Sequence, residues 1–341
     1  MKILLIYPRA SFKTLPSSSW MPLSLPYLAG PLKQAGHEVR IMDRYADQCR
    51  LGSDKALLDK ALLQTVTEFK PDLIGLNTIS PLVFDLVETA VLIRRVFTGP
   101  LLAGGHHATA LPEATLKKIP ELDAVITGEG EYSLLHFAEG AEPQEIPGLW
   151  WRENGRITGS PAAQIADLDK LPFPDFSVLD LSYYMKRGLD TIRHHYVSSI
   201  SLLASRGCVK KCEFCSESLT YGKGVRFHSP EYVVELVAKV YKDYGIEGIY
   251  FHDNDFLINR SRAEAICGLM IKRGLQHRLI WGIQARAEHI EPGIVRRLKQ
   301  AGCVIIEVGI ESDSQAVLDA MHKDSTVETN ERAIRICQMR A

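Results

Sequence analysis

The sequence predicts an α/β chain with two successive parallel-sheet domains, and three observations predict it. Short β-rich runs alternate with helical ones through the first 140 residues. The alternation breaks between about 141 and 198, where Pro143, Pro147, Pro161, Pro172 and Pro174 punctuate the chain, and it resumes from Ser199. At 341 residues the chain also exceeds the roughly 100 to 200 residues of a single domain. The expectation is a Rossmann-like sheet over 1–140, a linker with a small hairpin over 141–198, and a partial βα barrel over 199–341.

The elements follow in order. Strands are expected at 3–7, 38–42, 72–78, 101–105 and 123–128, separated by helices at 22–35, 54–69, 83–97 and 111–118. Gly36 fits a helix stop before the second strand, and Pro71 punctuates the approach to the third. The run LWWRENGRITG reads as a hairpin turning at Asn154 and Gly155. In the second series, strands at 199–205, 248–252, 279–285 and 304–310 alternate with helices at 229–244, 261–273 and 292–301, and helices at 313–321 and 327–340 follow.

Hydrophobic residues make up 46% and charged residues 24% of the chain, which argues against disorder and fibrous repeats. Forty basic against forty-one acidic residues, without a basic block, argue against nucleic acid as a partner. The start, MKILLIYP, lacks the apolar length and cleavage site of a signal peptide. No stretch approaches the roughly 20 apolar residues of a membrane span. A cytoplasmic protein is expected.

Seven cysteines are present, and three crowd into one loop while Cys49, Cys267, Cys303 and Cys337 are scattered. Cys208, Cys212 and Cys215 directly follow a β-like run, which puts them at the carboxyl end of a strand, the catalytic face of a βα barrel. Three thiolates from one short loop can hold three irons of a cubane and leave the fourth open. A closed zinc site requires four ligands, and no fourth Cys or His arrives at finger or ribbon spacing. Spacing and ligand count therefore favour a cluster, with structural zinc as the alternative.

The arrangement CxxxCxxC after a first barrel strand, with the aromatic Phe214 before its last cysteine, resembles the radical S-adenosylmethionine (SAM) superfamily. That resemblance implies a 4Fe-4S cluster on Cys208, Cys212 and Cys215, and cleavage of SAM at the open iron to a 5'-deoxyadenosyl radical. It further implies SAM contacts from Phe214, from Asp253 and Asp255 after the second barrel strand, from Arg286 after the third, and from Glu307 and Glu311 on the fourth. Read from chemistry alone, the two aspartates fit an ordinary polar loop equally well, and Arg286 fits a salt bridge with one of those glutamates.

In the first domain, GGHHATALPE follows the fourth strand and GEGE the fifth, where an open α/β sheet binds ligands. Glycine there lets the backbone approach a large flat ligand closely. With Asn77–Ser80 and the later connector LPFPDFSVLD, these segments resemble the cobalamin-binding domain that precedes the barrel in one radical SAM subfamily. The implied cobalamin contacts are Thr78, Ser80, Gly104, Gly105, His106, His107, Gly128, Glu129 and Gly130. The histidines serve either the corrin or their own loop, and no DxHxxG signature supplies a cobalt ligand.

The resemblance implies a methyltransferase in which the radical activates an unactivated carbon, or phosphorus, and methylcobalamin delivers the methyl group. An oxidative cyclase or rearrangement enzyme, such as the anaerobic magnesium-protoporphyrin ester cyclase, is the alternative on the same scaffold. A tRNA methylthiotransferase would carry further amino-terminal cysteines, and here Cys49 is alone. The partners implied are a small-molecule or peptide substrate and a low-potential electron donor. The stretch from Ser199 to Ala341 accommodates between four and five βα units at roughly 31 residues each, where the family's barrel has six. A truncated chain that binds corrinoid and cluster without turnover is therefore the reading from a different class.

Overall fold

The computed structural model describes residues 1–10, 21–186 and 192–338. Those residues divide into two compact units: Met1–Ile165 with Leu171–Tyr183 and Leu219–Gly222, and Ala166–Lys170 with Tyr184–Ser218 and Lys223–Ala341. The expected linker over 141–198 is shared between them. Part of it, 187–191, lies outside the described residues, as do 339–340 of the last expected helix.

The first unit is a seven-stranded sheet. Its strands are β1 (Lys2–Tyr7), β2 (Glu38–Asp43), β3 (Leu73–Asn77), β4 (Leu101–Gly104), β5 (Ala124–Ile126), β6 (Leu149–Glu153) and β7 (Arg156–Gly159), in spatial order β2-β1-β3-β4-β5-β6-β7. The pairs from β2 to β5 are parallel. Between them run α1 (Ser24–Gln34), α2 (Arg44–Leu51), α3 (Lys55–Phe69), α4 (Val83–Ile93), α5 (His106–Ala110) and α6 (Pro112–Lys118), and α7 (Glu131–Ala138) follows β5.

Strand β1 shows why the sheet is covered on both faces. Its four buried residues alternate sides: Leu4 and Ile6 join Leu62, Val66, Leu86 and Ile93, while Ile3 and Leu5 join Leu25, Leu32 and Leu134. A strand buried on both faces reads as a continuous apolar run, and KILLIY does. The order 2-1-3-4-5 reverses direction between β1 and β3, which creates the crevice at the carboxyl ends where doubly wound sheets hold ligands.

The hairpin expected inside the linker instead extends this sheet. Strand β6 pairs antiparallel with β5, Ile126 opposite Leu149, so the sheet edge that β5 would expose is covered. Its turn is the expected one, with Asn154 and Gly155 both left-handed at φ 49° and 76°. Gly159 faces Trp150, and a Cβ there would lie 2.2 Å from the indole.

The second unit carries four parallel strands, β8 (Ser199–Leu202), β11 (Gly248–Phe251), β12 (Ile280–Ala285) and β13 (Cys303–Val308), adjacent in that order. Helices α10 (Pro230–Tyr244), α11 (Arg260–Lys272) and α12 (Pro292–Gln300) join them. Short helix α8 (Leu181–Tyr184) precedes this series, α9 (Glu217–Tyr221) lies between β8 and α10, and α13 (Gln315–Ala320) and α14 (Val327–Gln338) close it. Helix α10 starts on the Ser229 side chain and Pro230 and stops at left-handed Gly245, as its sequence directs.

A two-residue antiparallel ladder, β9 (Ser205–Arg206) with β10 (Arg226–Phe227), closes the base of the cysteine loop. Among the described residues β13 has no strand on its far side.

Candidate functional site

In the second unit the loop that follows β8 carries all three clustered thiols, and each is free. The loop folds on itself through local bonds: the amide of Cys215 donates to the Cys212 carbonyl at 3.0 Å, and the Lys210 amide lies 3.5 Å from the Cys208 sulfur. Burial pushes the Cys215 thiol up, and Glu217, Cys212 and Cys208 add to the rise against the amide of Glu217. The Cys215 sulfur thus lies within the field of the other two. Soft thiolates gathered this way at a strand end are the donor set that iron–sulfur clusters use, so these residues fit the group. No three His, Cys, Asp or Glu among the described residues are arranged around one metal ion. Ligands to three separate corners of a cubane need no such common point.

The loop is anchored from below by a buried carboxylate. Asp253, 1% exposed, accepts from the Ala204 amide at 2.7 Å and from Ser205 Oγ at 2.5 Å. Burial raises its pKa, and Arg262 with these donors opposes the rise. Arg262 in turn donates to the carbonyls of His228 at 2.8 Å and Ala204 at 2.5 Å. His228 is wholly buried, stacked on Tyr232 at 4.0 Å, and bonded to Asp169 at 3.1 Å. Asp255, the other expected aspartate, meets His289 at 2.6 Å and holds that imidazole's pKa up. Both aspartates are therefore engaged by the chain itself.

The charged residues on the later strands pair differently from the expected bridge. Arg286 bonds Glu288 at 2.6 Å, Glu307 bonds Arg193 at 3.0 Å, and Glu311 bonds Lys323 at 2.8 Å. Arg286 also reaches Cys212 Sγ at 4.0 Å. Phe214 is 54% exposed, with the Lys323 ammonium 5.6 Å from its ring centre. Sequence reasoning missed Arg262, Asp169, Glu288 and Lys323. They lie far apart along the chain, and no spacing marks them.

One face of the second sheet carries polar groups. Register places Ser201, Tyr250, Gly282 and Ile305 in one row and sets Gln284 beside Glu307 farther along. His252 bonds Ser201 Oγ at 3.0 Å, and burial pushes its pKa down to about 4. Gly282 admits the Tyr250 ring, because a Cβ there would lie 2.9 Å from it.

In the first unit the expected residues cluster at the carboxyl ends of β3, β4 and β5. Thr78 donates to the Gly104 carbonyl at 2.9 Å and accepts from the Ala108 amide at 3.1 Å, pinning the start of α5. His107 bonds Ser80 at 3.0 Å and His106 bonds Thr220 at 2.7 Å, so each ring already has a partner within the chain. Burial lowers the His107 pKa. Glu129 accepts from the Ile165 amide at 2.8 Å.

The glycines also have a reason within the chain itself. A Cβ on Gly105 would lie 2.7 Å from the Thr78 carbonyl, and one on Gly128 would lie 3.0 Å from Ala162. Close approach of the chain to itself requires glycine at both. What fits a ligand here is the exposed amphipathic crest. The Asn77 side-chain oxygen is buried with no partner among the described residues, and Phe84 and Leu111, after β3 and β4, are 74% and 51% exposed. A large flat cofactor with amide side chains answers both needs.

Residues 16–138 match the B12 binding domain model and residues 202–340 match that of the Radical SAM superfamily. The chain is 29% identical to an uncharacterized methyltransferase of Pyrococcus horikoshii, over 98% of this chain and 71% of that protein. It is 28% identical to the anaerobic magnesium-protoporphyrin IX monomethyl ester cyclase of Cereibacter sphaeroides, over 94% and 52%. It is 27% identical to the cytidylyl-2-hydroxyethylphosphonate methyltransferase of Streptomyces wedmorensis, over 94% and 67%. The chain thus spans between 52% and 71% of these relatives' lengths.

A solved structure of the radical S-adenosylmethionine methyltransferase TsrM from Kitasatospora setae, with cobalamin and a 4Fe-4S cluster bound, shares the fold. Its TM-score is 0.77 at 20% identity, over 99% of this chain and 65% of that one. The cofactors that the two matched domains imply are a 4Fe-4S cluster, SAM and cobalamin. Among the described residues no helix is long and apolar enough to cross a membrane. The chain thus carries a B12 binding domain followed by a Radical SAM domain, the pairing found in cobalamin-dependent radical SAM enzymes.

Proposed function

We propose that this protein is a cobalamin-dependent radical SAM methyltransferase acting on an unactivated carbon or on phosphorus. The observation that carries the reading is the pairing of a B12-binding sheet with a three-thiol loop at the carboxyl end of β8, in a chain whose relatives include two methyltransferases. When bound, the cluster and SAM supply a hydrogen-abstracting radical, and cobalamin supplies the methyl group.

The chain's own part is to hold and orient. Cys208, Cys212 and Cys215 would ligate the cluster. Asp253, through Ser205 and the Ala204 amide, fixes the segment that leads into their loop. Phe214, Asp255, Arg286, Glu307 and Glu311 remain the proposed lining of the SAM site. Asp255 and Arg286 act from buried positions, since their charges are already spent on His289 and Glu288. His252, Gln284 and Glu307 offer hydrogen bonds to a polar ligand rather than an apolar barrel filling. Asn77, Thr78, Ser80, Gly104, Gly105, His106, His107, Gly128, Glu129 and Gly130 would border the cobalamin. A low-potential electron donor is the proposed protein partner.

The cyclase similarity favours a second reading, an oxidative cyclase on the same scaffold. One experiment separates the two. Anaerobic, reduced protein loaded with cluster and cobalamin is given SAM, and S-adenosylhomocysteine is measured beside 5'-deoxyadenosine. A methyltransferase yields both products, and 5'-deoxyadenosine alone would assign the cyclase reading.

A further inference from the structure

We infer that Arg286 is a positioning residue for the cysteine loop and that its guanidinium helps set the reduction potential of the cluster held there. The inference rests on the reading of Cys208, Cys212 and Cys215 as cluster ligands.

Arg286 stands directly after β12, and its side chain is 9% exposed. One edge of the guanidinium binds the Glu288 carboxylate at 2.6 Å. A second reaches Cys212 Sγ at 4.0 Å, and a third donates to the Lys323 carbonyl. Three segments distant in sequence therefore meet on one planar cation. A lysine, a point charge on a flexible stem, cannot span them together.

The segment Met321–Asp324 is itself strapped to the cysteine loop. Glu213 donates its amide to the Met321 carbonyl at 3.0 Å and bonds the His322 ring at 2.8 Å. Lys210 meets Asp324 at 3.3 Å. His322 and Asp324 are left-handed at φ 48° and 52°, a conformation non-glycine residues keep only where their surroundings over-determine it. The strap is thus held against the cysteine loop, and Arg286 ties it from below through the Lys323 carbonyl. Hydrogen bonds and positive charge at a ligating sulfur favour the reduced, more negative cluster, and so raise its potential.

The test is an EPR-monitored redox titration of the anaerobically reconstituted full chain, unaltered and as Arg286→Lys and Glu288→Gln, with iron and sulfide counted for each. Arg286→Lys is expected to keep its iron and shift the midpoint negative. Glu288→Gln removes the counter-charge while sparing the Cys212 contact, so it shifts the midpoint positive. Midpoints that stay together, or that move in the same direction, overturn the inference while leaving the cluster intact. An unaltered protein that assembles no 4Fe-4S cluster overturns both this inference and the ligand assignment beneath it.

Discussion

Asp253 accepts a hydrogen bond of 2.5 Å from Ser205 Oγ, and this contact ties the end of β11 to the root of the cysteine loop. The carboxylate also lies within the field of Arg262, which is itself buried. Replacing Asp253 by Ala leaves the buried Ala204 amide and Ser205 hydroxyl without their charged acceptor. At about 1.5–3 kcal/mol for each such bond, a loss on the order of 3–6 kcal/mol is expected, read by urea unfolding of the metal-free protein. A loss below about 1 kcal/mol, the scale of a surface pair, would show that the contact carries little.

Gly105 offers a second test. Its φ is 109°, and a Cβ would lie 2.7 Å from the Thr78 carbonyl, whereas Gly36, at φ 85°, has nothing within 4 Å of such a Cβ. Gly105→Ala should cost about 2–3 kcal/mol and weaken cobalamin binding, while Gly36→Ala should show the left-handed penalty alone, about 1–2 kcal/mol. Melting curves and cobalamin titrations of the two variants report the difference.

The thiols of the loop are half-buried or exposed rather than core groups. Cys208→Ala, Cys212→Ala and Cys215→Ala should each abolish 4Fe-4S assembly and 5'-deoxyadenosine formation. Each should leave the stability of the metal-free chain within about 1 kcal/mol, as for surface substitutions. Iron analysis and thermal melting, run side by side, distinguish a ligand from a packing residue.

Acid sensitivity follows from two buried imidazoles. Burial pushes both His228 and His252 from 6.5 down to about 4. Between those values the unfolded chain binds protons that the folded chain does not, so stability falls as pH drops from about 6.5 toward 4. Each imidazole accounts for up to about 3 kcal/mol of that fall, at 1.4 kcal/mol per pH unit. His252→Gln should flatten the decline of melting temperature over this window. An unchanged slope would show that His252 is protonated in the fold.

Much of this architecture was legible because its signals are local. Continuous apolar runs such as KILLIY marked strands covered on both faces, and Ser229, Pro230 and Gly245 marked the ends of a helix from sequence alone. Helix α5 was missed because HHATA has no apolar periodicity. The stretch expected as one helix over 54–69 is preceded by a second, because Asp43 caps α2 and Asp54 caps α3 separately. The hairpin at Asn154 and Gly155 was legible, but its place on the sheet edge was not, since edge pairing depends on where β5 ends in space.

The candidate site divides the same way. Three cysteines in one loop announce their chemistry by spacing. The partners that hold them do not, because Asp253 with Arg262, and Arg286 with Glu288 and Lys323, are brought together only by the parallel packing of β8, β11 and β12. The glycines after β4 and β5 were legible as special positions. Their close approach to Thr78 and Ala162 was visible only in three dimensions.

The central claim is that three thiolates hold a cubane with one iron left for SAM, and EPR of the reduced, anaerobically reconstituted chain tests it most directly. The account predicts about four irons and four sulfides per chain, with a reduced-cluster signal that changes when SAM is added. A stable signal indifferent to SAM, or a chain that takes up zinc in place of iron and sulfide, would contradict it.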